Sequence, residues 1–284
     1  MIVFRQTRDI KNYLAARRKK INSVGFVPTM GALHEGHVSL IRQSKKKAGI
    51  TVSSIFVNPV QFNSPEDFQK YPSTAEKDIL MLEESGCDVL FMPSVEEIYP
   101  DESSKHKHFD LGHLEEILEG KFRPGHFQGV CVVVEKLLNI VEPDILFLGQ
   151  KDYQQCLVIK KLIRLMDKKI KLLISPIVRE KNGLAMSSRN LRLAAGEKEK
   201  ASQLYKTLRY IKKHLNKKSF IDLRNGAIEN LERDGFKVDY LEVAKTKDLQ
   251  IISDIKNHQD TVILIAAYLS NVRLIDNVLV DEKF

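Results

Sequence analysis

The chain predicts an α/β fold, a doubly wound parallel sheet, with a second, smaller α+β domain after it. Three observations carry that expectation. Apolar strand-like runs alternate with amphipathic helical runs through about residue 180. Beyond that point the order becomes helix, helix and then three strands. That change of pattern puts the divide at 1–178 and 179–284, and with no repeat of fixed period and no low-complexity linker between them the two domains are expected to pack closely. Alternation of this kind implies a parallel sheet covered by helices on both faces, with ligands taken at the carboxyl ends of the strands.

The elements follow in order. "VGFVPTM" (24–30) reads as a strand, "HVSLIRQSKKKAG" (37–49) as a helix closed by Gly49, and "ITVSSIFV" (50–57) as the next strand. "STAEKDILMLEESG" (73–86) opens on a Ser or Thr cap, ends on Gly and leads into "CDVLFMP" (87–93). "GVCVVVEKLLNIVEP" (129–143) sets Val134, Leu137, Leu138 and Val141 on one helical face. After it come "DILFLG" (144–149), the helix "DYQQCLVIKKLIRLMD" (152–167) and the strand "IKLLISPIV" (170–178). The smaller domain predicts helices near 197–215 and 219–234, then strands "KVDYLEV" (237–243), "TVILIAAYL" (261–269) and "VRLIDNVLV" (272–280) in an antiparallel sheet. "REKNGLAMSSRN" (179–190) stands near the junction, where a loop can close over a ligand.

Composition narrows the function classes. With 284 residues, 43% hydrophobic and 29% charged, the chain is an ordinary globular one. Its opening, "MIVFRQTRDIKNYLAARRKK", is too charged for a signal peptide, and "VILIAAYL" (262–269) is far short of the roughly 20 residues that span a bilayer. Cys87, Cys131 and Cys156 lack the spacing of a disulfide framework or a zinc ribbon, so they read as reduced, buried thiols in a cytoplasmic protein without membrane partners. The net charge of +8 suits an acidic substrate or weak nucleic-acid attraction, and charge alone does not choose. The clusters "RRKK" (17–20), "KKK" (45–47) and "KKIK" (168–171) lack interleaved aromatics and read as solvated faces.

Chemistry concentrates in "FVPTMGALHEGHVSLI" (26–41), where a strand becomes a helix between two glycines and two histidines. Three readings compete there. As a metal site, His34 and His37 lack a third ligand at recognisable spacing. As a phosphate loop, Gly31 and Gly36 have the GxxxxGK[ST] spacing, but His37 replaces the Lys and Val38 the hydroxyl residue. The third reading has the helix N-terminus offering backbone N–H groups to a polyphosphate while two imidazoles bond its oxygens, with Gly36 allowing close approach.

"LHEGH" resembles the HxGH signature of the nucleotidyltransferase superfamily that includes class I aminoacyl-tRNA synthetases, and "MSSRN" (186–190) sits where those enzymes carry a second phosphate loop. Six blocks, "PTMGALHEGH" (28–37), "SIFVNPVQF" (54–62), "RPGHFQGV" (123–130), "PDILFLGQKDYQQ" (143–155), "AMSSRN" (185–190) and "RLIDN" (273–277), together resemble the pantoate:β-alanine ligase family. One HxGH is a weak sign; six blocks in order, running from the N-terminus to the last strand, are a strong one. Gln150 departs from the Glu usual in the family's GEKD block, which puts that side chain's role in question and leaves Lys151 and Asp152 in place.

The resemblance implies a Rossmann-like first domain that joins pantoate to β-alanine through an acyl adenylate, using ATP and Mg2+, in a cytoplasmic homodimer. Pyrophosphate departure builds negative charge, so the site calls for positioned cations and donors. His34, His37 and Lys151 are the implied catalytic residues, with His37 the proton donor, since imidazole's ordinary pKa lies near about 6.5. The implied ATP site takes in Met30, Gly31, Ala32, Leu33, His34, Glu35, Gly36 and His37, then Gly149, Gln150, Lys151 and Asp152, then Val178, Met186, Ser187, Ser188 and Arg189. Asp152 suits the ribose hydroxyls, and Val178, at the end of a strand, the adenine. Gln61 and Gln155 are implied to hold pantoate, with Arg123 reaching an acidic group. No residue stands out as a base for the β-alanine amine, and orientation beside the adenylate is the expected device.

Blander readings stand beside these. "SSR" can be a helix cap, Gln61 can satisfy a turn, Gln154 reads as a solvent-facing neighbour of Gln155, "HKH" (106–108) reads as solvated surface, and "RLIDN" can support the second domain instead of touching substrate. The rival functions are another adenylate-forming or nucleotidyl-transferring enzyme, which would keep HxGH without the two glutamines, and a nucleic-acid module, which would show steeply salt-dependent RNA affinity. The chain has no appended tRNA-reading domain, and no nucleic-acid partner is expected.

Overall fold

The computed structural model describes residues 1–63, 65–252 and 260–281. It divides into two compact units, Met1–Gly149 with Val158–Pro176 and Gln150–Leu157 with Ile177–Phe284. Residues 150–157 thus group with the second unit, whereas the sequence pattern draws its line after 178.

The first unit is a parallel sheet of β1 (Ile2–Phe4), β2 (Val24–Thr29), β3 (Ile50–Ile55), β4 (Val89–Phe91), β5 (Ile145–Gly149) and β6 (Lys171–Ser175), in the order β1-β4-β3-β2-β5-β6. All five pairings are parallel. The central strands are uncharged and buried along nearly their whole length, as covering helices on both faces require, with Thr51, Ser53 and Ser54 among the buried residues of β3. From β2 the chain winds outward through β3 and β4, then returns to the far side of β2 as β5 and β6. The winding therefore reverses between β2 and β5, and the segments that follow those two strands leave the sheet where such folds bind ligands.

Most predicted elements fall where periodicity puts them. Helices run over Glu35–Lys47, Ala75–Glu84, His126–Val141 and Tyr153–Leu165. Two boundaries move for local reasons. The helix expected from 129 begins at His126, because Gly125 in the left-handed region (φ 78°) turns the chain into it. The strand expected through Val178 ends at Ser175, where Pro176 brings no N–H to continue the ladder. Among the elements not expected from the sequence are β1, which lies at the sheet edge on β4, the polar helix Thr7–Arg18, and the short helices Val95–Ile98 and Leu118–Phe122.

The second unit carries an antiparallel meander of β7 (Phe236–Lys245), β8 (Thr261–Leu269) and β9 (Val272–Leu279). Leu204, Leu208 and Ile211 of the helix Gln203–His214 and Leu223 and Leu231 of the helix Phe220–Arg233 share a core with Leu241, Val243, Ile263 and Ile265. The single helix expected over 197–215 is broken at Ser202, whose hydroxyl donates to the Glu199 carbonyl at 2.6 Å, a back-bond that bends helices. Among the described residues no helix is long and apolar enough to cross a membrane.

Candidate functional site

In the first unit the sequence places residues 30–37 between β2 and the helix Glu35–Lys47, and the turn there is held from outside. Gly31 (φ 81°) and Ala32 (φ 48°) both lie in the left-handed region. The Asp78 carboxylate, on the helix Ala75–Glu84, accepts the N–H groups of Ala32 and Leu33 at 2.8 Å each and the Thr74 hydroxyl at 3.0 Å. Asp78 is only 1% exposed. Thr29 adds a second hold, accepting the Gly31 N–H at 3.3 Å while donating to the Ser54 carbonyl at 2.6 Å.

The two histidines come together at the helix start. His34 is the N-cap, its Nδ1 accepting the Gly36 N–H at 3.2 Å, and His37 Nδ1 accepts the His34 N–H at 3.3 Å. Their ring centroids are 4.1 Å apart. A backbone N–H can only donate, so each Nδ1 keeps its lone pair and the neutral imidazole carries its proton on Nε2. Two Nε2–H donors thus stand at a helix N-terminus, where backbone amides and dipole already favour an anion. Ala32 and Leu33 have buried side chains and offer only backbone, while Glu35 is exposed and pairs with Arg42.

Gln61 lies on the 3-10 turn Pro59–Gln61, nearly buried. Asn58 Nδ2 donates to Gln61 Oε1 and to the Gly129 carbonyl, both at 3.1 Å, and the Tyr99 hydroxyl donates to Asn58 Oδ1 at 2.8 Å. The amide end of Gln61 points at Met30 Sδ, 3.0 Å away, a weak acceptor. Arg123 lies 2.9 Å from His126 Nε2 and 3.8 Å from the Glu119 carboxylate. Since guanidinium only donates, His126 Nε2 accepts and Nδ1–H donates to the Gln61 carbonyl at 2.8 Å. Gly129 lets the helix His126–Val141 come against this turn, for a Cβ there would meet the Val60 carbonyl oxygen at 2.5 Å.

In the second unit Lys151 Nζ lies 3.1 and 3.2 Å from the two Asp152 oxygens. Gln150 turns inward, its Nε2 donating to Asn277 Oδ1 at 3.1 Å, while Asn277 Nδ2 donates to the Gln150 and Lys151 carbonyls at 3.0 Å each. The 179–190 segment folds back on itself through an Arg179–Ala185 bridge and a Met186 N–H to Val178 carbonyl bond of 3.0 Å. Asn190 Nδ2 donates to Glu180 Oε1 and the Ala185 carbonyl. Ser187 caps the short 3-10 helix Ser188–Arg192, its hydroxyl accepting the Arg189 N–H at 3.3 Å, so the cap reading of "SSR" is also realised. Arg179 donates to both Asp276 oxygens, at 2.6 and 2.9 Å, and lies over the Tyr205 ring. Burial pushes the Asp276 carboxyl above the usual carboxylate range, against the pull of Arg179.

Gln155 is half-buried in the first turn of the helix Tyr153–Leu165. Gln154, expected at the solvent face, is instead 2% exposed, because it stands one turn before the buried Val158 on the same helical stripe. The "HKH" residues are exposed as surface. Asn58, Asp78, His126 and Asn277 escaped the sequence reading. Three of them sit inside the quoted blocks, and Asp78 left a subtler sign, an acidic group one turn from Leu82 on an apolar face.

Comparison with known proteins points to one family. A family model described as "Pantoate-beta-alanine ligase" matches residues 2–279. A pantothenate synthetase of Cytophaga hutchinsonii is 45% identical over 99% of both chains, and one of Caldicellulosiruptor bescii 41% identical over 100% of both. The crystal structure of pantothenate synthetase from Thermus thermophilus superposes with a TM-score of 0.91 at 36% identity, covering 99% of each chain. That of a pantoate-beta-alanine ligase from Francisella tularensis, complexed with β-γ ATP and β-alanine, gives 0.83 at 37% identity, covering 100% of this chain and 99% of its own.

Proposed function

The chain belongs to the pantoate-beta-alanine ligase family, and from that premise we propose how its residues serve the family's reaction. It condenses pantoate with β-alanine in an ATP-dependent reaction. In the reading we favour, a pantoate carboxylate oxygen attacks the α-phosphorus of ATP, the bond to the bridging oxygen breaks and pyrophosphate leaves. The β-alanine amine then attacks the acyl carbon of the adenylate and AMP leaves with the shared oxygen, the amine's proton passing to solvent.

The observation that carries this reading is the histidine pair. Both Nδ1 atoms are tied to backbone N–H groups, so both Nε2–H groups are donors for the oxygens on which charge develops, with His37 the donor to the departing pyrophosphate. Met30 through Gly36 supply backbone to the phosphates. Lys151 adds positive charge, Asp152 suits the ribose hydroxyls, and Gly149 and Gln150 contribute backbone. Met186, Ser187, Ser188 and Arg189 form a second group of phosphate ligands, with Val178 assigned to the adenine. Gln61 and Gln155 hold pantoate. Arg123 acts through His126, which holds the Gln61 carbonyl.

Mg2+ is assigned to the substrate, as MgATP. No group of three or more His, Cys, Asp or Glu side chains able to hold a metal ion occurs among the described residues, and Mg2+ commonly rides on substrate phosphates with one or two carboxylates. The active species is proposed to be a cytoplasmic homodimer, which light scattering would read as twice the 32.5 kDa chain mass.

The test is exchange of labelled pyrophosphate into ATP with Mg2+ and pantoate present and β-alanine absent. Pantoate-dependent exchange establishes the adenylate. Its absence in folded, ATP-binding protein overturns the two-step reading.

A further inference from the structure

Two adjacent residues of β9, Asp276 and Asn277, are polar, carry almost no exposed surface and direct most of their side-chain hydrogen bonds to segments outside the sheet. The Asn277 side chain bonds to one short segment. Its two Nδ2 hydrogens go to the consecutive carbonyls of Gln150 and Lys151, and its Oδ1 takes the Gln150 side-chain amide. One amide therefore fixes the backbone on both sides of the Lys151 Cα. Asp276 works on the other segment. Its carboxylate takes both arms of Arg179 and the Asn277 N–H at 2.8 Å, and Arg179 Nη1 donates onward to the Gly183 carbonyl at 3.1 Å. Gly183 is the turn of the folded-back loop (φ 96°), whose return limb leads through Met186 to Ser187, Ser188 and Arg189.

A sheet position needs no such residues for packing. Leu274 and Val278, the buried neighbours on β9, show what the core alone accepts. Buried ion pairs and amides contribute little net stability over apolar residues of the same volume; what they supply is a unique placement of their partners.

We infer that Asp276 and Asn277 are positioning residues for ATP. Asn277 sets the Lys151 segment, and Asp276, through Arg179, sets the 186–189 segment. The inference rests on the reading that these two segments serve ATP. Because the two anchors are successive on one strand, the two loops share one reference frame, and a shift of β9 moves both.

The experiment is a double-mutant cycle on pyrophosphate exchange in the full chain, with Asn277→Ala, Lys151→Ala and the pair, each verified as folded by thermal unfolding. Asn277→Ala is expected to slow exchange by up to about 100-fold, the loss that a misplacement near 1 Å brings, to raise the ATP KM and to leave the pantoate KM within about twofold. In the Lys151→Ala background the same change should cost less than about threefold, because the group it positions is gone. Asp276→Asn should likewise move the ATP KM and spare pantoate. Should Asn277→Ala fail to fold, Gln150→Ala removes only the Gln150 to Asn277 Oδ1 bond and should give a smaller, equally ATP-specific loss. Losses that multiply in the double variant, or that strike both substrates alike, overturn the inference while leaving the ATP reading intact. If Lys151→Ala itself exchanges normally, the ATP reading fails, and the inference with it.

Discussion

Gly129→Ala is the sharpest perturbation of the proposed pantoate pocket, because it adds one methyl group and removes no hydrogen-bonding atom. A Cβ at Gly129 would lie 2.5 Å from the Val60 carbonyl oxygen and 2.7 Å from Gln61 Cα and the Val60 carbonyl carbon. Carbon contacts relax at about 3.5 Å, so helix and turn must part by close to 1 Å. Backbone cannot swing aside as a side chain does, and the turn is pinned by Asn58 to the Gly129 carbonyl and by His126 to the Gln61 carbonyl. The strain should lower stability by about 1–3 kcal/mol, and the displaced Gln61 should lower kcat/KM for pantoate on the order of 100-fold, with the ATP KM changed far less. Steady-state kinetics on both substrates, beside urea unfolding, reads the two effects separately. Gly226→Ala is the control: nothing lies within 4 Å of its added Cβ, and inside the helix Phe220–Arg233 it should stabilise by roughly 0.8–1 kcal/mol with normal kinetics. A Gly129→Ala enzyme that loses stability yet uses pantoate normally would refute the link between this turn and the substrate.

Other outcomes follow from the same geometry. Gln61→Ala should weaken pantoate use by about 1–3 kcal/mol, the cost of an unpaired buried hydroxyl, and equal loss for ATP in initial-rate kinetics would remove it from the pantoate pocket. His37→Ala should slow adenylate formation severely in a protein that stays folded, and near-normal turnover would sink its role. Asp78→Asn turns one acceptor oxygen into a donor facing a backbone N–H, so it should lower stability by about 1–3 kcal/mol and slow pyrophosphate exchange; calorimetry and the exchange assay check each part. Burial pushes the Cys87 and Cys131 thiols up to about 12 and raises that of Cys156 as well. A thiol reagent at pH 8 should therefore label none of the three in the native chain and all three in urea.

What could be read from the chain was whatever depends on neighbours in sequence. Strands such as Val24–Thr29 and Ile50–Ile55 are short, uncharged runs rich in β-branched residues, and helices such as Gln203–His214 repeat their apolar residues at helical spacing, so the order of such runs predicts the parallel sheet and the three later strands. β1 is three residues long, too short for any period, and owes its existence to β4. The helix Thr7–Arg18 buries only Ile10 and Leu14, which leaves its pattern faint. In the candidate site His34 and His37 were legible because their bonds close within a few residues of one another, whereas Asn277 acts on residues 126 and 127 positions away and Asp78 on residues 45 and 46 positions away. No local signal encodes such partners. Gly129 was quoted only as part of a motif, since a missing side chain reveals its purpose only when the backbone opposite is known.

The carboxylate of Asp78 has a consequence for anyone who would borrow this loop. The turn at Gly31 and Ala32 looks self-contained when written out, a ten-letter cassette from Pro28 to His37 ready to be spliced onto another parallel sheet. Its shape, however, is stored elsewhere, in one side chain of the helix Ala75–Glu84 that crosses back to take two of its amides. A graft that leaves this helix behind would transplant the letters of the motif without the template that moulds them.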